Sequence, residues 1–80
     1  MPTADMLIVG RHAVVKKLLL KGDLKRRISE LGLTPGTTVT LCRKESFGQP
    51  IILSFRGYRL GLGRDTAKRI ILEYKATKKQ

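Results

Sequence analysis

The sequence has few of the residues that carry chemistry: one cysteine, one histidine, no tryptophan and six acidic residues among 80. The single cysteine, Cys42, excludes an intrachain disulfide and favours a reducing compartment. The single histidine, His12, and the scattered carboxylates provide neither a paired acid–base set nor the clustered ligands of a transition-metal site. We therefore expect a protein that is not an enzyme and that holds no metal or other cofactor.

Long apolar runs are also absent. No run approaches the roughly 20 residues that span a bilayer, and the first residues lack the pattern of a secretory signal. These absences predict a cytoplasmic protein. The length predicts one domain over residues 1–80, and the short polar ends, 1–5 and 75–80, are predicted to be flexible.

Charge is strongly one-sided, with 17 basic residues against six acidic ones and a formal net charge of +11. Such an excess favours an acidic partner, which could be a nucleic acid, an anionic membrane face or an acidic protein surface. The densest basic cluster is Lys25-Arg26-Arg27.

The basic cluster lies within a predicted helix, Asp23–Leu31. Leu24, Ile28 and Leu31 recur at i, i+4 and i+7, a spacing that predicts an apolar stripe packed against the rest of the protein. Asp23 is expected to cap the start of this helix, and Gly32 is expected to end it in a left-handed conformation. A Thr-Pro-Gly turn then leads into a strand.

Alternating apolar residues predict strands in the rest of the chain, with a hairpin turn at Gly57. The predicted strands are the first part of 13–20, Thr38–Arg43, Ile51–Arg56, 58–62 and Ile70–Tyr74. Phe55 and Tyr58 are expected on core faces, and Asp65 or Thr66 is expected to cap a helical turn over 65–69. The apolar run Met6–Val9 is expected to pack across one end of the sheet or to pair at its edge.

This order of elements indicates a mainly β protein, a small barrel of about five strands with one short α-helix inserted after the first strand. The strand pattern alone does not separate an SH3-like barrel from an OB-fold.

Three short motifs give the chain a resemblance to the FeoA family, small proteins of bacterial ferrous-iron transport. The matching residues are Arg27, Leu31-Gly32-Leu33 and Pro35-Gly36, then Phe47-Gly48-Gln49-Pro50, then Arg56-Gly57-Tyr58-Arg59-Leu60. The resemblance implies an SH3-like barrel. It also implies a non-enzymatic accessory role in which the protein docks on the cytosolic part of the FeoB transporter.

The candidate partner-binding residues are basic residues around one apolar anchor, Phe47. They are Lys25, Arg26, Arg27, Phe47, Arg56 and Arg59. An exposed aromatic ringed by cations is typical of a protein-binding patch. The same cations could attract an anionic lipid surface, which would place the protein peripherally at the inner membrane.

Two alternative functions fit the same sequence. The barrel resembles the C-terminal domain of DtxR-type metalloregulators, so a separate copy could serve as a protein-interaction module. The positive charge also suggests nucleic-acid binding, although Phe47 is the one aromatic expected to be exposed for base stacking.

Overall fold

The structure, a computed structural model, describes residues 2–44 and 50–75. A 3-10 turn at Ala4–Met6 comes first. Five strands and two helices follow: β1 (His12–Leu18), α1 (Gly22–Glu30), β2 (Thr38–Lys44), β3 (Ile51–Phe55), β4 (Tyr58–Leu62), α2 (Arg64–Ala67) and β5 (Ile70–Tyr74). None of the helices among these residues is long and apolar enough to cross a bilayer.

All five strands belong to one antiparallel sheet with the order β4-β3-β2-β1-β5. The prediction that the last strand pairs with the first is confirmed. The register shifts between Val15 and Lys17 on β1 and between Leu41 and Arg43 on β2. Such bulges bend and twist a strand, which lets a short sheet curl around its own apolar face. The mainly β fold with one helix after the first strand is therefore confirmed.

The core consists of apolar side chains from the inner face of every strand and from the segments that cover its ends. Its members are Ala4, Leu7, Ala13, Val15, Leu18, Leu20, Ile28, Leu33, Val39, Leu41, Ile51, Leu53, Phe55, Leu62, Ala67, Ile70 and Leu72. Their alternation along the strands matches the period of two expected of a sheet with one buried face.

The turn between β3 and β4 is a two-residue hairpin, as predicted from Gly57. Arg56 has φ 51° and Gly57 has φ 83°. Positive φ at both central residues is the geometry that matches the natural twist of two paired strands. Tyr58, which follows this turn, is exposed rather than in the core. The prediction of a core position for Tyr58 was wrong, because Tyr58 begins β4, an edge strand of the described sheet, directly beside the exposed hairpin turn.

The apolar stripe of α1 is only partly buried, which corrects the prediction. Ile28 is the buried residue of this helix, whereas Leu24 and Leu31 are 43% and 40% exposed. Leu33, just beyond the helix, is fully buried. The helix is only nine residues long, so Ile28 and the following loop anchor it to the barrel.

Neither predicted helix cap is present. Lys21 occupies the capping position of α1 and Gly63 that of α2, and neither makes a side-chain capping bond. Each helix begins one residue before its predicted range, so Asp23 and Asp65 lie inside the first turn instead. A carboxylate there still interacts favourably with the positive end of the helix dipole.

Residues 2–5, within the end predicted to be flexible, have partners in β5. The amide of Leu72 donates to the Pro2 carbonyl at 2.8 Å, and Thr3 forms an isolated bridge with Ile71. Ala4 is fully buried. Flexibility of the two ends stays a prediction, and 76–80 lie outside the described residues.

Candidate functional site

The basic cluster lies on the exposed surface of α1, as the sequence predicts. Lys25, Arg26 and Arg27 are all exposed. Arg26 pairs with Asp23 at 3.2 Å, one turn earlier. Both side chains are mostly in water, and an exposed pair of this kind contributes little to stability. The cluster is therefore a charged surface that a partner can engage rather than a structural ion-pair network.

The end of α1 is closed by a glycine, as predicted. Gly32 has φ 103°, and its amide donates to the Ser29 carbonyl at 2.9 Å. The Leu33 amide donates to the Ile28 carbonyl at 3.2 Å, which completes a Schellman motif. The buried hydroxyl of Thr37 donates to the Gly32 carbonyl at 2.9 Å. These bonds hold the C-terminal end of α1 against the start of β2.

Arg56 lies at this same helix end. A Cβ on Gly32 would be 3.1 Å from Arg56 Cδ, so the arginine stem packs directly on the glycine. Carbonyl groups at a helix C-terminus carry partial negative charge, which favours a nearby guanidinium. The β3–β4 turn thus brings Arg56 to the last turn of α1, where Arg27 also lies.

Gly32→Ala should therefore lower the free energy of unfolding by about 1–2 kcal/mol, because a left-handed φ strains any residue with a Cβ. The new methyl group would also press on Arg56. Gly63→Ala is the matched control, because Gly63 has φ −67° and a methyl group added there would meet no atom within 4 Å. Chemical denaturation followed by circular dichroism compares the two. If both substitutions lowered the free energy of unfolding equally, the predicted backbone strain at position 32 would be contradicted.

The structure describes one of the remaining two predicted residues. Arg59 is exposed on the edge strand β4, opposite Ser54. Phe47 lies outside the described residues. The strand ends that flank its loop, at Lys44 and Ile51, are at the opposite end of β3 from the Arg56 turn. Lys25, Arg26 and Arg27 thus share α1, and Arg56 lies at its C-terminal end, whereas Phe47 as an apolar centre stays a prediction.

A groove of about 380 Å³ lies beside the N-terminal half of α1. We call it the α1 groove. Its lining residues are Leu20, Lys21, Leu24, Asp65, Thr66 and Arg69. The exposed part of Leu24 supplies an apolar wall, and the two cations Lys21 and Arg69 outnumber the one acid, Asp65. A groove with this lining suits a short segment that carries an apolar side chain and acidic groups.

Sequence reasoning missed the α1 groove because its two sides are about 45 residues apart in the chain. They meet because β5 pairs with β1, which places Ile70 opposite Leu18. The amide of Leu19 also donates to the Arg69 carbonyl at 2.7 Å. The incomplete burial of Leu24 adds its exposed apolar surface to the nearly buried Leu20 in the groove lining.

His12 and Cys42 come from neighbouring strands but form no metal site. His12 Nδ1 lies 2.7 Å from Thr40 Oγ1, the residue directly opposite it on β2. Within residues 2–44 and 50–75, no group of three or more His, Cys, Asp or Glu side chains could hold an ion. The histidine therefore serves as one member of a cross-strand hydrogen bond.

Comparison with known proteins identifies the fold and the family. The family model described as the FeoA domain matches residues 3–74. The solution structure of a FeoA protein from Chlorobium tepidum is 26% identical, with a TM-score of 0.87 over 98% of this chain and 74% of that chain. The FeoA of Stenotrophomonas maltophilia, crystallised with zinc and described as a prokaryotic SH3 domain protein, is 27% identical, with a TM-score of 0.78 over 91% of both chains.

Other solved structures share the fold in longer proteins. This chain spans 45% of the iron(II) transport protein A of Clostridium thermocellum, at 23% identity and a TM-score of 0.84. It spans 41% of a manganese-dependent transcriptional repressor, at 13% identity and a TM-score of 0.81, which shows a shared fold alone. No curated protein matches the chain. Because the family model covers residues 3–74, this chain belongs to the FeoA family of ferrous iron transport and has the SH3-like fold.

Proposed function

We propose that this chain is an accessory protein of ferrous iron uptake that docks on the cytosolic part of the FeoB transporter through α1 and the α1 groove. Membership of the FeoA family supports the process, and a transport factor of this kind needs a transporter as its partner. The observation that carries the docking site is the partly exposed Leu24 in the groove lining. Three exposed cations accompany it: Lys21 and Arg69 in the same lining, and Lys25, the next residue of α1.

The physical basis of the docking is an apolar contact surrounded by charge. Leu24 would give up its remaining exposed surface to a partner side chain, which is the typical source of affinity at the centre of an interface. Lys21, Lys25 and Arg69 would attract an acidic rim and raise the rate of encounter. The complementary segment on the transporter is therefore expected to be acidic with an exposed aliphatic or methionine side chain.

The proposed mechanism requires no bond making in this protein. A bound accessory domain changes the behaviour of its partner only if it binds one conformation of that partner more tightly than another. The barrel supplies a rigid platform for this purpose, because α1 is fixed to it through Ile28, Leu33 and the closed helix end.

The docking proposal is tested by titrating this chain with the purified cytosolic domain of FeoB and measuring heat or fluorescence anisotropy. Leu24→Ala should weaken the affinity about tenfold, the size of effect found at the apolar centre of interfaces. Leu31→Ala is the matched control, because Leu31 follows the same helix with nearly the same exposure but lies outside the groove lining. Absence of any binding by the unaltered chain would refute the proposal.

A further inference from the structure

The apolar run Met6–Val9 is only partly buried, although the sequence predicts that it packs against the sheet. Leu7 is buried, but Met6, Ile8 and Val9 are 61%, 56% and 56% exposed. They lie next to two exposed cations, Arg11 and Lys75. We call this surface the N-terminal tip, and we propose that it inserts Ile8 and Val9 into the interface of an anionic lipid bilayer.

The tip is held in shape by the barrel beneath it. The Gly10 amide donates to the Leu41 carbonyl at 2.9 Å, and the Arg11 amide donates to the Ile8 carbonyl at 3.0 Å. Leu7 anchors the turn in the core. Ile8 and Val9 are thus presented outward on a tight turn, so that little conformational freedom is lost when they enter a bilayer.

The residues around the apolar centre have the composition of a membrane interface. The hydroxyl of Tyr74 lies 3.5 Å from the Met6 carbonyl, and the Arg11 guanidinium lies 4.2 Å from the centre of the Tyr74 ring. The Lys75 amide donates to the His12 carbonyl at 3.1 Å, which fixes Lys75 at the same end of β1. Tyrosine is enriched at the headgroup level of membranes, and arginine and lysine bind anionic headgroups.

Two observations favour a bilayer over a protein as the occupant. Ile8 and Val9 are consecutive and exposed on one turn, which suits insertion into a fluid interface rather than a fitted pocket. Arg11 and Lys75 outnumber the one acidic residue next to this run, Asp5, in a chain whose net charge is +11, which complements an anionic lipid surface.

The inference goes beyond the proposed docking and uses different residues. The tip precedes β1 at His12, whereas α1 and its groove follow the other end of that strand, after Leu18. Seven residues of strand separate the two surfaces by about 20 Å. A protein bound to lipid through the tip would keep α1 free for a second contact, and an assay with vesicles alone tests the tip without the transporter.

The first test is flotation of the full chain with phosphatidylcholine vesicles, with and without phosphatidylglycerol. The chain should bind the anionic vesicles, and Ile8→Ser with Val9→Ser should weaken that binding at least about tenfold, since two inserted aliphatic side chains are lost. Leu19→Ser with Leu31→Ser is the matched control, because it removes two exposed leucines outside the tip and should leave binding unchanged. Equal loss in both double variants, or no loss in either, overturns the proposal.

The second test reports the depth of the tip directly. The chain has no tryptophan, so Val9→Trp introduces a single fluorophore. Its emission should shift to the blue on anionic vesicles and be quenched by brominated lipid. Leu19→Trp, the control, should keep the emission of a residue in water. If Val9→Trp remains in water, or if the serine variants lose binding to the transporter domain while keeping vesicle binding, the tip is not a lipid-inserting surface.

A third test uses charge to report orientation. Arg11→Glu with Lys75→Glu and Lys25→Glu with Arg27→Glu each lower the formal net charge from +11 to +7, since each reversal subtracts two. The substitutions at Arg11 and Lys75 should weaken binding to anionic vesicles far more than those at Lys25 and Arg27. The charges on α1 would lie about 20 Å from the lipid surface, well beyond the Debye length of about 8 Å, so they are screened. Equal weakening by both pairs would show attraction by total charge alone and would overturn the oriented insertion.

Discussion

Leu33→Ala is expected to lower the free energy of unfolding by about 2–5 kcal/mol, the usual cost of removing most of a fully buried leucine side chain. Leu33 is completely buried and links the closed end of α1 to the core. Domains of this kind have a total stability of only about 5–15 kcal/mol. The variant should therefore unfold at a much lower denaturant concentration, as circular dichroism in urea would show.

Leu24→Ala supplies the comparison for this prediction. The two leucines belong to the same basic segment, but Leu24 is 43% exposed. Its replacement should cost less than about 1 kcal/mol, because little packing is lost and alanine is a good helix former. If the two substitutions were equally destabilising, α1 would have to pack through its whole predicted stripe, and the exposed wall of the α1 groove would not exist.

Reversal of charge on α1 should have the largest effect on docking. Lys25→Glu with Arg27→Glu is expected to weaken binding to the cytosolic domain of FeoB by about 100-fold or more, because like charges placed opposite one another at an interface cost several kcal/mol. Both side chains are exposed and far from the core, so the fold should be unchanged. Calorimetry at two salt concentrations should show that the difference between variant and unaltered chain narrows as salt increases.

The control for charge reversal is Arg11→Glu with Lys75→Glu, which makes the same change in net charge at the other end of β1. In solution, this control should reduce docking only slightly, through the weakened long-range attraction of the whole molecule. Comparable losses in the two variants would indicate that net charge, rather than the α1 surface, governs the interaction.

Phe47 lies outside the described residues, so its role as the apolar centre of the basic patch stays a prediction. The strands that flank its loop end at Lys44 and Ile51, and Ile51 is at the opposite end of β3 from the Arg56 turn. Among the described residues, Leu24 in the α1 groove is an exposed apolar side chain that the sequence assigned to the core. From the sequence alone, an exposed leucine on an amphipathic helix is assigned to the core. The reason is that periodicity indicates which side chains share a face, but not whether another part of the protein covers that face.

Local features were predictable because each is encoded within a few residues. The Leu31-Gly32-Leu33 sequence indicated a left-handed helix end, and the hairpin at Gly57 followed from the same freedom of glycine at positive φ. Alternation with a period of two located the strands. The exposed basic face of α1 followed from the same periodicity, since charged side chains cannot be buried unpaired at tolerable cost.

Features that depend on distant segments were decided by the tertiary structure. The α1 groove exists because β5 pairs with β1, and the register of that pair brings Arg69 to Leu19. The exposure of Ile8 and Val9 depends on how the barrel end is closed by Leu7 and Ala4. By itself, the sequence determined a basic, mainly β domain with one short helix. Strand register and bulges decided which apolar residues stayed outside, because burial depends on neighbours that local sequence does not specify.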